Sequence, residues 1–240
     1  MVLWRQKIQT YLKYQLLLSF VGLILVVFLV VFPPKVTAVF PWRKPLIGSI
    51  FSIFCFLGFI AVLSPSKCGK MLEHKKVTPG ISSEKYVSQK NSFALIGHHP
   101  TCGKYSEHVF HIKDKTYCAA CTGLLVGGLL SLVGSVIYFY VGLNIIEISM
   151  LFVVLGVFGV IIGMFQFAFK SIFRLLANTI FVLGSLLILI AVDATVGALF
   201  FDLFVVCLIF FWLFTRISFS KWDHKRICFS CGTENCTART

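Results

Sequence analysis

CAACTGLLVGGLLSLVGSVIYFYVGL, residues 118–143, passes without a break from a cysteine pair into an apolar run that extends from Gly123 to Leu143. A hydrocarbon core of ~30 Å takes ~20 apolar residues to cross as a helix, and this run is long enough. Open strands would leave backbone amides unpaired in lipid, so the run reads as a helix. Five other stretches have the same character: Leu16–Phe32, Leu46–Leu63, Ile148–Phe169, Leu175–Val192 and Val196–Phe214. The 240 residues are 58% hydrophobic and 13% charged, with 26 Phe. The mean hydropathy is +0.91. That balance leaves too little polar surface for a soluble globule. The expected fold is an all-α membrane protein with about six transmembrane helices.

The first stretch follows a basic leader (Arg5, Lys7, Lys13), and Val36-Thr37-Ala38 resembles a cleavage site. Its apolar run is longer than the ~7–15 residues of a signal-peptide core, so it reads as a retained helix. Pro33-Pro34 ends it, and Trp42 reads as an interfacial anchor. Four segments result: two membrane helices in 1–63, a polar loop in 64–121, a four-helix bundle in 122–215, and a basic cysteine-rich tail in 216–240.

Charge sets the expected orientation. With six spans, 19 of the 22 Lys and Arg fall on the side that carries both termini and the long loop; only Lys35, Arg43 and Lys44 fall opposite. Without the long loop the ratio is still 10 to 3. The positive-inside rule then places both termini and the loop on the cytoplasmic face of the cell membrane. A net charge of +13 fits contact with anionic inner-leaflet lipid, and nucleic acid is not expected as a partner.

Seven of the nine cysteines (Cys68, Cys102, Cys118, Cys121, Cys228, Cys231, Cys236) lie outside the spans on that side, whereas Cys55 and Cys207 lie within helices. In a reducing compartment such thiols favour metal binding over disulfides. His99, Cys102, Cys118 and Cys121 are spaced His-x2-Cys-x15-Cys-x2-Cys, close to the pattern of zinc-binding hairpins. Each x2 pair can converge on one tetrahedral ion. His98 is an alternative to His99, and His108 or His111 are competitors. Val109–Ile112 and Thr116-Tyr117, joined through Lys113-Asp114-Lys115, predict a small hairpin delivering Cys118 and Cys121 opposite the other pair. The result would be a zinc-ribbon-like insert closed by four protein ligands, as in a structural site. Iron or copper is an alternative to zinc. In the tail, His224-x3-Cys228-x2-Cys231-x4-Cys236 forms a second candidate cluster, with Cys68 as another donor.

Polar residues within the spans are the other candidates, since buried charge in lipid is costly. Asp193 is expected to cap the turn between the last two spans. Asp202, without an evident basic partner, is a candidate for carrying a proton or cation. Gln166, Arg174 and Asn178 fall near the ends of the spans that face the clip side. Gly123-x3-Gly127 and Gly159-x3-Gly163 predict close helix contacts.

His98-His99-Pro100-Thr101-Cys102, followed by Cys118-Ala119-Ala120-Cys121-Thr122-Gly123 at the start of a helix, resembles a family of uncharacterised prokaryotic polytopic membrane proteins. That family has a Cys/His element upstream of Cys-x2-Cys-Thr-Gly. Gln166 and Ser171-Ile172-Phe173-Arg174 are similar to its Gln and Ser-x2-Arg stretch. Here Ala120 stands where the family commonly has Arg, His-His-Pro-x-Cys replaces Cys-His-Gln, and Ala177-Asn178 replaces Thr-Gly. The resemblance spans His98 to the last helix and implies a metal-linked membrane protein without naming a reaction.

The expected function is scaffolding or assembly, with a membrane-protein partner or a second copy, around a cytosolic zinc site. The alternatives are a membrane metalloenzyme at the inner interface, a thiol or metal sensor, and a small-solute transporter. Membrane-impermeant maleimide added outside intact cells is expected to leave Cys102, Cys118 and Cys121 unlabelled. Labelling only after permeabilisation, and only with the metal chelated, would accord with the topology and the ligation together.

Overall fold

The helix Ser171–Val196 is the axis of the bundle: 67% of its most apolar window is buried inside the protein, against 33% or less in every other candidate span. A computed structural model describes residues 2–35, 40–63, 106–112 and 115–230. In chain order the elements are α1 (Val2–Val31), α2 (Arg43–Leu63), a 3-10 turn (Ser106–His108), β1 (Val109–Ile112), β2 (Lys115–Cys118), α3 (Ala119–Val136), α4 (Ser149–Met164), α5 (Ser171–Val196) and α6 (Leu199–Ser230). Six helices are long and apolar enough to cross a membrane, the architecture of a multi-pass membrane protein.

The surface explains why lipid is the solvent. On α1, Leu17, Leu18, Ile24 and Phe28 are exposed while Leu23 and Val26 are buried; on α4, Leu155 and Phe158 face out while Val153 and Val160 face in. A helix apolar on every side fits a protein core on one face and acyl chains on the other.

Small residues bring the central helices together. A Cβ built on Gly127 would lie 2.8 Å from the Thr179 carbonyl oxygen, and one on Gly123 would collide with the Leu175 carbonyl, so α3 meets α5 backbone to backbone. On the other side, a Cβ on Gly159 would lie 2.8 Å from the Ile180 oxygen, and one on Gly163 would overlap Phe181. Both small-x3-small pairs expected from the sequence thus face α5. The approach lets the Thr179 hydroxyl donate across the interface to the Gly123 carbonyl at 3.1 Å. Farther out, Trp212 of α6 donates its indole N–H to the Ser19 carbonyl of α1 at 3.2 Å, beside a Ser19–Thr215 hydroxyl pair at 3.1 Å.

Two elements differ from expectation. The third span does not end as α-helix: Ile137–Val141 forms a π-helical turn that closes on Gly142, whose φ of 89° suits a residue without a Cβ. Tyr138 and Phe139 are both buried there. The last helix runs to Ser230, through much of the segment expected as tail. Its hydropathy falls after Phe214, but Arg216 and Asp223 are 4% and 2% exposed, sheltered by other helices rather than by lipid.

Gly159→Leu and Gly163→Leu are expected to force α4 from α5 and to cost about 1–3 kcal/mol by overpacking. A Cβ on Gly58 meets nothing within 4 Å, so Gly58→Leu is the matched control and should leave the detergent melting temperature nearly unchanged.

Candidate functional site at the hairpin end

The anticipated hairpin is present: β1 and β2 pair antiparallel with Val109 opposite Cys118 and Ile112 opposite Lys115. Cys118 ends β2 in extended backbone (φ −75°, ψ 117°) and is the N-cap of α3. Cys121 follows in the first helical turn, and Thr122 donates its hydroxyl back to the Cys118 carbonyl at 2.9 Å. The strand-to-helix junction therefore sets the cysteine pair on the rim of the bundle, with Cys118 buried and Cys121 half-buried.

What anchors this rim to α5 is an arginine. Arg174, 5% exposed, donates through Nε to the Phe169 carbonyl (3.0 Å) and through Nη2 to the Phe167 carbonyl (3.2 Å). Its Nη1 lies 2.6 Å from His108 Nδ1. A guanidinium only donates, so the imidazole is the acceptor, with Nη1 also 3.2 Å from Nε2. That nitrogen is 3.7 Å from Asp223 Oδ2, and Arg174 Nη2 is 3.5 Å from the same oxygen. Asp223 is closed from outside by Arg226 at 3.0 Å. Ser171 sits at φ 38°, a conformation costly for a residue with a Cβ, and its hydroxyl donates to the Val109 carbonyl at 3.1 Å. Lys170 and Glu107 form an exposed ion pair above it.

Arg216 reaches the same layer from α6. Its Nε donates to Asn178 Oδ1 at 2.8 Å and its Nη2 to Gln166 Oε1 at 3.1 Å, with a second, short contact to Asn178 Oδ1. Asn178 in turn donates to the Arg174 carbonyl at 2.6 Å. Among the described residues no carboxylate bonds Arg216; the Cys118 and Cys121 side chains are in its neighbourhood. Gln166, Arg174 and Asn178 are thus gathered into one site.

Arg216 and Asp223, which sequence reasoning placed among tail charges, complete this site. A signal for them was available: Trp212, Arg216, Phe219 and Asp223 recur at helical spacing on one face. Of the expected ligands, His224 lies on α6 with its ring 5.5 Å from that of His108. Cys228 belongs to the last turn of α6, but its side chain lies outside the described residues, as do His98, His99, Cys102, Cys68, Cys231 and Cys236. Among the described residues, which include only Cys118 and Cys121 of the proposed clip, no group of three His, Cys, Asp or Glu is placed to hold a metal. His111 is exposed on β1.

At the opposite end a second polar cluster corrects an expectation. Asp202 does have a basic partner: Arg43 Nη1, at the start of α2, lies 2.7 Å from Asp202 Oδ2 and also pairs closely with Asp193 Oδ1. Tyr138 donates to Asp193 Oδ2 at 2.7 Å. Asp193 is therefore a junction of three helices, not only a turn cap. Arg43 escaped notice because it reads as a loop charge beside Lys44.

No family model, no curated protein and no solved structure matches the chain.

Arg174→Gln would remove the charged donor shared by His108 and the Phe167 and Phe169 carbonyls and leave Asp223 to the exposed Arg226 alone, a loss of about 2 kcal/mol. The expected outcome is a lower melting temperature and faster tryptic cleavage within the hairpin. Arg226→Gln, on the exposed side of the same carboxylate, should cost under about 1 kcal/mol.

Proposed function

We propose that this chain is a membrane scaffold or assembly protein whose hairpin end is held in shape by zinc, with His99, Cys102, Cys118 and Cys121 as ligands. The observation that carries the reading is the placement of Cys118 and Cys121 at the strand-to-helix junction, in the neighbourhood of a buried Arg216 whose hydrogen-bond acceptors are neutral amides. Zinc bound by three thiolates and one imidazole carries a net negative charge, and a buried guanidinium is the complement such a centre needs. The resemblance to polytopic proteins with a Cys-x2-Cys-Thr-Gly motif supports the same reading.

The hairpin end faces the cytoplasm in this proposal. Arg174 and Arg216 are helix residues with buried partners, yet the basic excess survives without them: Arg5, Lys7, Lys13, Lys170, Lys221, Lys225 and Arg226 flank this end, against Lys35 and Lys44 at the other. His224, beside His108, brings the start of the His224/Cys228/Cys231/Cys236 cluster to the same rim, where it either adds a second ion or supplies donors to the first.

A second reading is favoured by the Arg174–Arg216–Gln166 grouping: a metalloenzyme with an open metal position, these residues facing an anionic substrate at the interface. Cobalt substitution separates the two, since a closed four-ligand site shows no exchangeable water.

Gently purified protein is expected to contain one to two zinc ions per chain. Cys118→Ser and Cys121→Ser should each lose one ion and lower the melting temperature, while Cys207→Ser, an exposed cysteine on α6, should do neither. Wild-type protein that is folded and free of metal would overturn the proposal.

A further inference from the structure

The cluster at the far end of the bundle does not balance. Asp193 and Asp202 are 1% and 0% exposed, and both bond the same nitrogen, Arg43 Nη1. Two carboxylates thus share one guanidinium. Lys44 follows Arg43 in the chain, but it is only half-buried, its ammonium stands 4.8 Å from the centre of the Tyr138 ring, and it makes no ion pair with either acid among the described residues. Helix dipoles do not help, because the C-terminal end of α5 and the N-terminal end of α6 meet here and their partial charges oppose each other.

The oxygens show where the imbalance falls. Asp193 Oδ1 takes Arg43 and Oδ2 takes the Tyr138 hydroxyl, while Asp202 Oδ2 takes Arg43. Asp202 Oδ1 is buried with no hydrogen-bond partner. A bare carboxylate oxygen in a low-dielectric interior is among the costliest groups a membrane protein can hold, and two like charges on one site cannot both persist without compensation. Ser131 and Ser135 of α3, which precede Tyr138 of the π-helical turn, are fully buried and also have hydroxyls without partners.

We infer that the Asp193–Asp202 pair is a proton-binding site that holds one exchangeable proton, carried on Asp202 Oδ1. The groups facing it are Arg43 and Lys44 from α2, Tyr138 from the π-helical turn after α3, Asp193 from α5 and Asp202 from α6. A proton fits better than a metal cation, because a hard cation needs several oxygens and only one here is uncommitted. The inference is independent of the zinc proposal, whose residues lie at the other end.

Infrared difference spectroscopy of the full-length protein in lipid nanodiscs tests it by counting protonated carboxyl groups near neutral pH. The expected number from this cluster is one in wild type, none in Asp202→Asn, where a single carboxylate matches Arg43, and two in Arg43→Gln, where both acids lose their cation. Asp202→Asn keeps the shape and the acceptor to Arg43, so it should fold; a monodisperse elution profile checks that. A wild-type protein without a protonated carboxyl band, or a band that persists unchanged in folded Asp202→Asn, would overturn the inference. So would a band that vanishes when sodium replaces choline at constant pH, since the occupant would then be a metal cation.

Discussion

Helix α5 lies between two helices that meet it with glycine, and this contact governs what the rest of the bundle can do. Gly123 and Gly127 of α3 and Gly159 of α4 meet the α5 backbone directly, and Gly163 makes room for the Phe181 side chain. In lipid there is little hydrophobic drive for helices to associate, so such packing and the few hydrogen bonds it permits supply most of the specificity. A helix held this closely has a fixed rotation and height. Polar residues it carries are then presented at defined places, which is why Arg174 and Asn178 at one end and Asp193 at the other each find a partner from another helix.

The two ends have opposite electrostatic character. At the hairpin end, buried guanidinium groups outnumber the buried carboxylate: Arg174 and Arg216 share a layer with Asp223. At the far end, Asp193 and Asp202 share Arg43. An excess charge of either sign is expensive away from water, and the expense is met by an occupant or by a neighbouring group that titrates. At the hairpin end the proposed compensation is by Cys118 and Cys121 as thiolates on a metal. At the far end it is a proton.

The hairpin is a small element with large leverage. Two four-residue strands are marginal alone, but His108, Val109 and Glu107 are tied to α5 through Arg174, Ser171 and Lys170. β2 passes directly into α3 through Cys118. A change in what the cysteines hold would therefore be felt by α3 and α5 together, along an interface too close-packed to absorb it.

Much of this was legible beforehand, and the pattern of success has a physical basis. The six helices, the hairpin between Val109 and Cys118, and the two glycine pairs are local properties: length of an apolar run, alternation, and spacing along one chain. Arg43 reads as an interfacial charge because nothing near it in sequence says otherwise, and the spacing that puts Arg216 and Asp223 on one helix face does not name their partners. The sequence by itself determined that the chain crosses a bilayer as helices and that Cys118 and Cys121 open one of them. Only the tertiary structure decided that α5 is the central helix, that Arg216 sits by those cysteines, and that Asp202 shares its arginine with Asp193. The reason is that a charge in lipid is stabilised by whatever group the packing brings to it, from anywhere along the chain, and a linear pattern carries no record of that encounter.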